Sequence, residues 1–153
     1  MSVSAATLRA PGAAESLCAA LAASAREIVL ATAGVELDDT AIARPHGDLI
    51  VAYIAMGGDL DGLTCVVASS LAREFASRVY GIAELADDLI REAACELANV
   101  IAGHAAGVLA DHGVTAEIRR PPQHIAAIPA GEAVTVGHGD HLRIVLHRSG
   151  GGA

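Results

Sequence analysis

Glu92, Glu96 and Asn99 stand at i, i+4 and i+7 within the stretch 84–113, ELADDLIREAACELANVIAGHAAGVLADHG. A carboxylate pairs with cations, and a carboxamide both donates and accepts hydrogen bonds. Three such groups on one surface can hold a charged or polar partner. On most helices the same residues serve only to keep a polar face in water. Asn nevertheless costs a helix interior about half a kcal/mol relative to Ala, so its presence in so Ala-rich a stretch asks for a reason.

The element that must position these groups is one long helix over 84–113. The stretch contains no proline, and apolar residues recur at helical spacing. Leu85, Leu89, Ala93 and Val100 form one row, and Ile90, Leu97, Ile101 and Val108 the next. Gly113 follows the last periodic residue and is suited to a left-handed cap. At about 100° per residue, Glu92, Glu96 and Asn99 share an arc of about 60° apart from the apolar stripe. Gly103 and Gly107 extend that face, where a partner's backbone can come close. His104 falls near the stripe and is expected to pack in the core.

The chain has 153 residues, which sets one domain as the default. Its composition is 53% hydrophobic but only 2% aromatic, so the core must be built of Ala, Val, Leu and Ile. The formal net charge is −8, and all ten basic residues are scattered arginines. That argues against nucleic acid and anionic membranes as partners. Cys18, Cys65 and Cys95 are widely spaced in apolar sequence and read as reduced core residues of a cytosolic protein. No apolar run approaches the roughly 18 residues of a membrane span, and no signal core opens the chain.

Residues 1–12 and 149–153 read as flexible termini around one domain over 13–148. A helix is expected over 13–33, stopped by Gly34, then a short strand over 35–42. Strands follow over 48–56 and 62–69, joined by the turn Gly57 to Gly62. Asp59 and Asp61 in that turn lack the remaining ligands of a calcium loop. A short helix over 70–80 ends at Gly81. After the long helix come strands over 114–119 and 123–128, broken by Pro121-Pro122, then a hairpin of 133–136 and 142–147. In its last strand Arg143, Val145 and His147 should form the more polar face. His138 and His141 in its turn lack a third metal ligand. The order suggests an α+β layered domain, an antiparallel sheet with helices packed on it and a rough repeat of helix plus three strands. Glu15 and Cys18 in the first helix echo Glu96 and Asn99, with Cys in place of the amide.

Taken together, Glu92, Glu96, Asn99 and, about twenty-one residues on, Pro121 match the spacing of the CheC/CheX group of chemotaxis phosphatases. The run from Glu96 to Ala105 and the turn Gly58 to Gly62 resemble that group too. The resemblance covers about 13–148 and is nearest to CheX-like proteins. It implies a six-stranded antiparallel sheet with two long helices and a cytoplasmic, homodimeric phosphatase. Its substrate would be the aspartyl phosphate of a phosphorylated CheY-like response regulator. It further implies that Asn99 positions the attacking water, much as a glutamine does in small GTPases. Glu96 would pair with the receiver's lysine, and Glu92, Gly103 and Pro121 would line the partner-binding surface. No cofactor or metal of its own is implied, because the receiver supplies Mg2+. Against this stands a non-catalytic receiver-binding or dimerisation module using the same helix face.

Overall fold

The computed structural model describes residues 13–37, 48–82, 84–130, 133–138 and 141–148. The elements in chain order are α1 (Ala13–Ala33), β1 (Leu49–Gly58), β2 (Leu60–Ala68), α2 (Ser69–Tyr80), α3 (Asp87–Asp111), β3 (Ala116–Ile118), β4 (Gln123–Ile125), β5 (Ala133–His138) and β6 (Leu142–Arg148). The flexible termini expected at 1–12 and 149–153 lie outside the described residues.

All strand pairings are antiparallel, in the order β3-β1-β2-β6-β5, with β4 also on β1. The helices lie on one face of this sheet, an α+β layered arrangement as expected. β3 and β4 share the outer edge of β1: Met56 to Gly58 pair with β3, and Val51 to Tyr53 with β4. Pro121 and Pro122 sit between them and have no N–H to give the ladder. The second half of the chain is therefore a helix with a split edge strand and a hairpin. Val35 to Leu37 form no strand, and the rest of the strand expected over 35–42 lies outside the described residues.

The turns follow the glycines. Gly34, Gly58, Gly81 and Gly113 all take positive φ. At Gly113 the closure is a Schellman motif. The Gly113 N–H donates to Ala110 O at 3.0 Å, and the Val114 N–H to Leu109 O at 2.8 Å. The Val114 and Leu109 side chains are both buried beside it. The β1–β2 hairpin is tighter than a turn over 57–62, since β1 runs to Gly58 and β2 restarts at Leu60. It is pinned to the exit of α3. The Asp59 N–H donates to Thr115 O at 2.7 Å, and the Thr115 N–H donates to the Asp59 carboxylate at 2.8 Å. Asp59 is thus occupied in holding the hairpin.

The core lies between sheet and helices. Leu17, Leu21, Ile54, Leu63, Leu71, Phe75, Leu97, Ile101 and Ile144 are all essentially inaccessible. α1 and α3 are each long and apolar enough, by length and composition, to cross a membrane, which corrects the expectation that no segment reaches that length. In this fold their apolar faces are part of the core. Of the cysteines, all free, only Cys65 is fully buried; Cys18 and Cys95 are half-buried at its margin. Burial, with neighbouring Cys95 second, pushes the Cys65 thiol up to about 12.

The reverse face of the sheet corrects another expectation. Arg143 is exposed, but Val145 and His147 are buried, so that side of β6 is not an open polar face. His147 Nε2 and Thr64 Oγ1 share a hydrogen bond of 2.6 Å. The Tyr53 ring stands 5.9 Å from the imidazole, and its hydroxyl donates to Asp61 O at 3.2 Å. Tyr53 lies over Gly62, where a Cβ would collide with it.

Burial lowers the His147 pKa, opposed in part by the Asp61 carboxylate. The unfolded histidine takes its proton near 6.5, and the folded one only at lower pH. Stability should therefore not depend on this group above about pH 6.5 and should fall as pH drops below that value toward the folded pKa. Urea midpoints measured from about pH 7.5 to 5 should decline at the acid end for the wild type. His147→Gln should flatten that decline.

Candidate functional site

α3 packs against α1, α2 and strands β1 to β4. Its buried residues are Ile90, Ala93, Ala94, Leu97, Ala98, Ile101, Ala102, Ala105 and Leu109. The contact stripe is centred on alanines and not on the first leucine row. Leu89 is 39% exposed, and Leu85 and Val100 only half-buried. The stripe also drifts by roughly 60° around the helix from its first half to its second, as expected for a helix crossing its neighbours at an angle. That drift carries His104 out to the surface, which corrects its expected place in the core.

At about 100° per residue, Glu92, Glu96 and Asn99 are centred roughly opposite the buried stripe. Both glutamates are exposed and Asn99 is half-buried. Gly103 is exposed, and a Cβ at Gly103 or Gly107 would meet nothing within 4 Å. No part of the described chain fills the space over those glycines.

The flank of this face is a groove of about 420 Å³. Glu92, Cys95 and Glu96 line one wall, Pro121, Pro122 and His124 the other, and Tyr80 and Arg91 complete it. The structure thus brings Glu92, Glu96 and Pro121 into one groove. Asn99 and Gly103 lie farther along the same helix face, outside its lining. The split edge of the sheet explains the position of Pro121: the β3–β4 connection leaves the ladder there and arches toward α3. Among the described residues neither Glu92 nor Glu96 has a hydrogen-bond or ion-pair partner.

Sequence reasoning missed Tyr80, the last residue of α2. Its ring packs edge-on to Phe75 at 6.3 Å, which turns the phenol toward the groove. Burial, then Glu96, then Glu92 raise its pKa. The signal was present, since this is one of only two tyrosines in the chain and it precedes a helix-ending glycine. Nothing in a linear pattern, however, reports which helix end meets which helix face. Burial, then Glu92, likewise raises the Cys95 thiol.

Alkaline absorbance titration checks this geometry, with Tyr80→Phe identifying the Tyr80 transition against that of Tyr53. Tyr80 should ionise above the ordinary tyrosine range. Glu96→Gln should move it part of the way back, and Glu92→Gln by a smaller amount. An unchanged transition in both variants would place the phenol away from the carboxylates.

This layered arrangement of helices on an antiparallel sheet is the fold of the CheC/CheX group of chemotaxis proteins. CheX from Vibrio vulnificus matches with a TM-score of 0.67 at 17% identity, over 87% of this chain and 96% of that one. CheX from Borrelia burgdorferi, in a complex with CheY, BeF3 and Mg2+, matches with a TM-score of 0.59 at 16% identity, over 86% and 97%. FliY from Thermotoga maritima shares the fold with a TM-score of 0.55 at 13% identity, over 90% of each chain. No family model and no curated protein matches the sequence.

Proposed function

We propose that the chain is a CheX-like phosphatase, a cytoplasmic domain over 13–148 that hydrolyses the aspartyl phosphate of a phosphorylated CheY-like receiver. One observation carries the reading: Glu92, Glu96 and Asn99 share an outward face of α3 beside a groove closed by Pro121. The fold shared with a CheX recorded in complex with CheY supports it.

An aspartyl phosphate is a mixed anhydride and already labile. What hydrolysis lacks is a water held in line behind phosphorus, and an amide that donates and accepts can hold one. Asn99 takes that role. Glu96 pairs with the receiver's lysine and anchors α3 across its active site. Glu92, Gly103 and Pro121 belong to the contact surface, with Gly103 leaving room for the receiver's backbone. The Mg2+ belongs to the phosphorylated receiver. The half-site on α1 has exposed Glu15 and half-buried Cys18 but no amide, and it contributes no turnover.

The decay rate of a phosphorylated CheY, followed with and without this protein, tests the reading. Asn99→Ala should lose most of the acceleration while keeping the fold and much of the binding. Glu96→Ala should weaken affinity and rate together. Glu15→Ala should stay within about twofold of wild type. Full activity in Asn99→Ala would end the water-positioning role. The fold is shared with FliY as well as CheX, which keeps a second reading in play: a module that binds receivers or dimerises without catalysis. Binding without acceleration would select it.

Among the described residues β5 ends the sheet path on the side away from β3 and β4, and its outer edge is the one a second copy would pair with. Light scattering should give about 31 kDa, twice the chain mass of 15.4 kDa, at all micromolar concentrations. Val136→Pro, in the middle of β5, should reduce it. A monomeric wild type would remove the dimer and leave the phosphatase reading standing.

A further inference from the structure

The groove beside Glu92 and Glu96 continues past His124. A second groove of about 200 Å³ opens where the first turn of α3 meets the start of α2 and of β1, lined in part by Asp48, Arg73 and Asp87. The two grooves share two side chains, Arg91 and His124. Arg91 comes from α3, one position before Glu92. His124 comes from β4, where it pairs with Ala52. The two residues form a saddle. Two carboxylates, Glu92 and Glu96, lie on one side of it, and Asp48 and Asp87 with Arg73 on the other. In a chain of net charge −8, Arg91 on the saddle and Arg73 beyond it put guanidinium groups among these carboxylates. Arg91 reaches Asp88 at 3.6 Å, but the two side chains are 51% and 91% exposed. So exposed a pair gives way readily to a better-placed acceptor, and a guanidinium takes a carboxylate in bidentate fashion.

We infer that the Arg91–His124 saddle receives a carboxylate of the docking receiver and sets the receiver's register along α3. The inference rests on the reading of Glu96 and Asn99 as the receiver-facing pair. Arg91 precedes Asn99 by eight residues, about 12 Å of helix, and Glu96 by five, about 7.5 Å. The carboxylate it takes is therefore a surface Asp or Glu about 12 Å from the phosphoryl group, not the phosphoryl group itself. A cation over Glu96 and an anion over Arg91 read a plus-minus pair in one direction only. A receiver presenting the pair reversed meets like charge at both points, so the saddle contributes specificity beyond what the Glu96 contact supplies.

The test uses the full chain with a CheY protein phosphorylated by a small-molecule phosphodonor in Mg2+. Initial rates are measured over a range of receiver concentrations. Arg91→Glu should raise KM about tenfold or more while kcat moves less than about threefold, and the KM effect should shrink as salt is added. Arg91→Lys should recover most of the loss. A purely architectural role would instead lower kcat and thermal stability together, independently of salt, and would overturn the proposal. If Arg91→Glu fails to fold, as judged by circular dichroism, Arg91→Gln carries the same readout with a shift of about threefold. A wild type that accelerates decay, with Arg91 variants within twofold of its KM, would overturn the saddle and leave the phosphatase reading intact. A wild type that neither binds nor accelerates would overturn both.

Discussion

The structure depends on the burial of one alanine-lined face. Ala93, Ala94, Ala98, Ala102 and Ala105 let the α3 axis come close to α1, α2 and the sheet, while Ile90, Leu97, Ile101 and Leu109 supply the bulk between them. Larger side chains at the alanines would overpack the contact at about 1–3 kcal/mol each. Truncating Leu97 would cost about 2–5 kcal/mol through the cavity left behind. Once this face is fixed, the opposite face has no freedom: Glu92, Glu96 and Asn99 must point outward. The same burial positions α2, whose last residue, Tyr80, then reaches the groove that α3 forms with the β3–β4 connection.

The electrostatics of that groove follow from how little of it is neutralised from within. Glu92 and Glu96 are exposed and have no ion-pair partner among the described residues, so a partner's cation meets carboxylates that need not first be stripped of an internal mate. Tyr80 lines the same groove, and burial first, then the charges of Glu96 and Glu92, raise its pKa. In the proposed phosphatase reading, attack on an already labile anhydride asks for orientation more than covalent help, and a rigid helix is a better mount for an amide than a loop.

Much of this was legible in the sequence. Gly34, Gly81 and Gly113 mark the ends of α1, α2 and α3 because a positive φ there needs no Cβ, and the proline pair marks the break between β3 and β4. The long helix itself is shorter than its periodic stretch, Asp87–Asp111 within 84–113. The errors share a cause. Alanine is apolar enough to be buried and small enough to be exposed, so periodicity could not say which row of α3 faces the core. Leu89 was therefore placed too deep and His104 inside. The buried reverse face of β6 was hidden for a related reason, since His147 reads as polar until its pairing with Thr64 is known. Val35 to Leu37 have strand-like composition, but among the described residues no neighbouring strand offers them a ladder. Tyr80 and the Arg91–His124 saddle depend on contacts between distant segments, which carry no local signal.

The proline break has a consequence for how copies of this chain can add to one another. A sheet with two intact outer strands can grow at both ends and, given head-to-tail contacts, never stops. Here one end is divided into two three-residue pieces by Pro121 and Pro122, and neither piece is long enough to template another strand. Among the described residues, β5 forms the other end of the sheet path. A contact that uses one surface twice closes on itself after a single pairing. In the proposed dimer, strand-to-strand growth would stop at two copies, and the break that blunts the other end lies in the connection that arches toward α3.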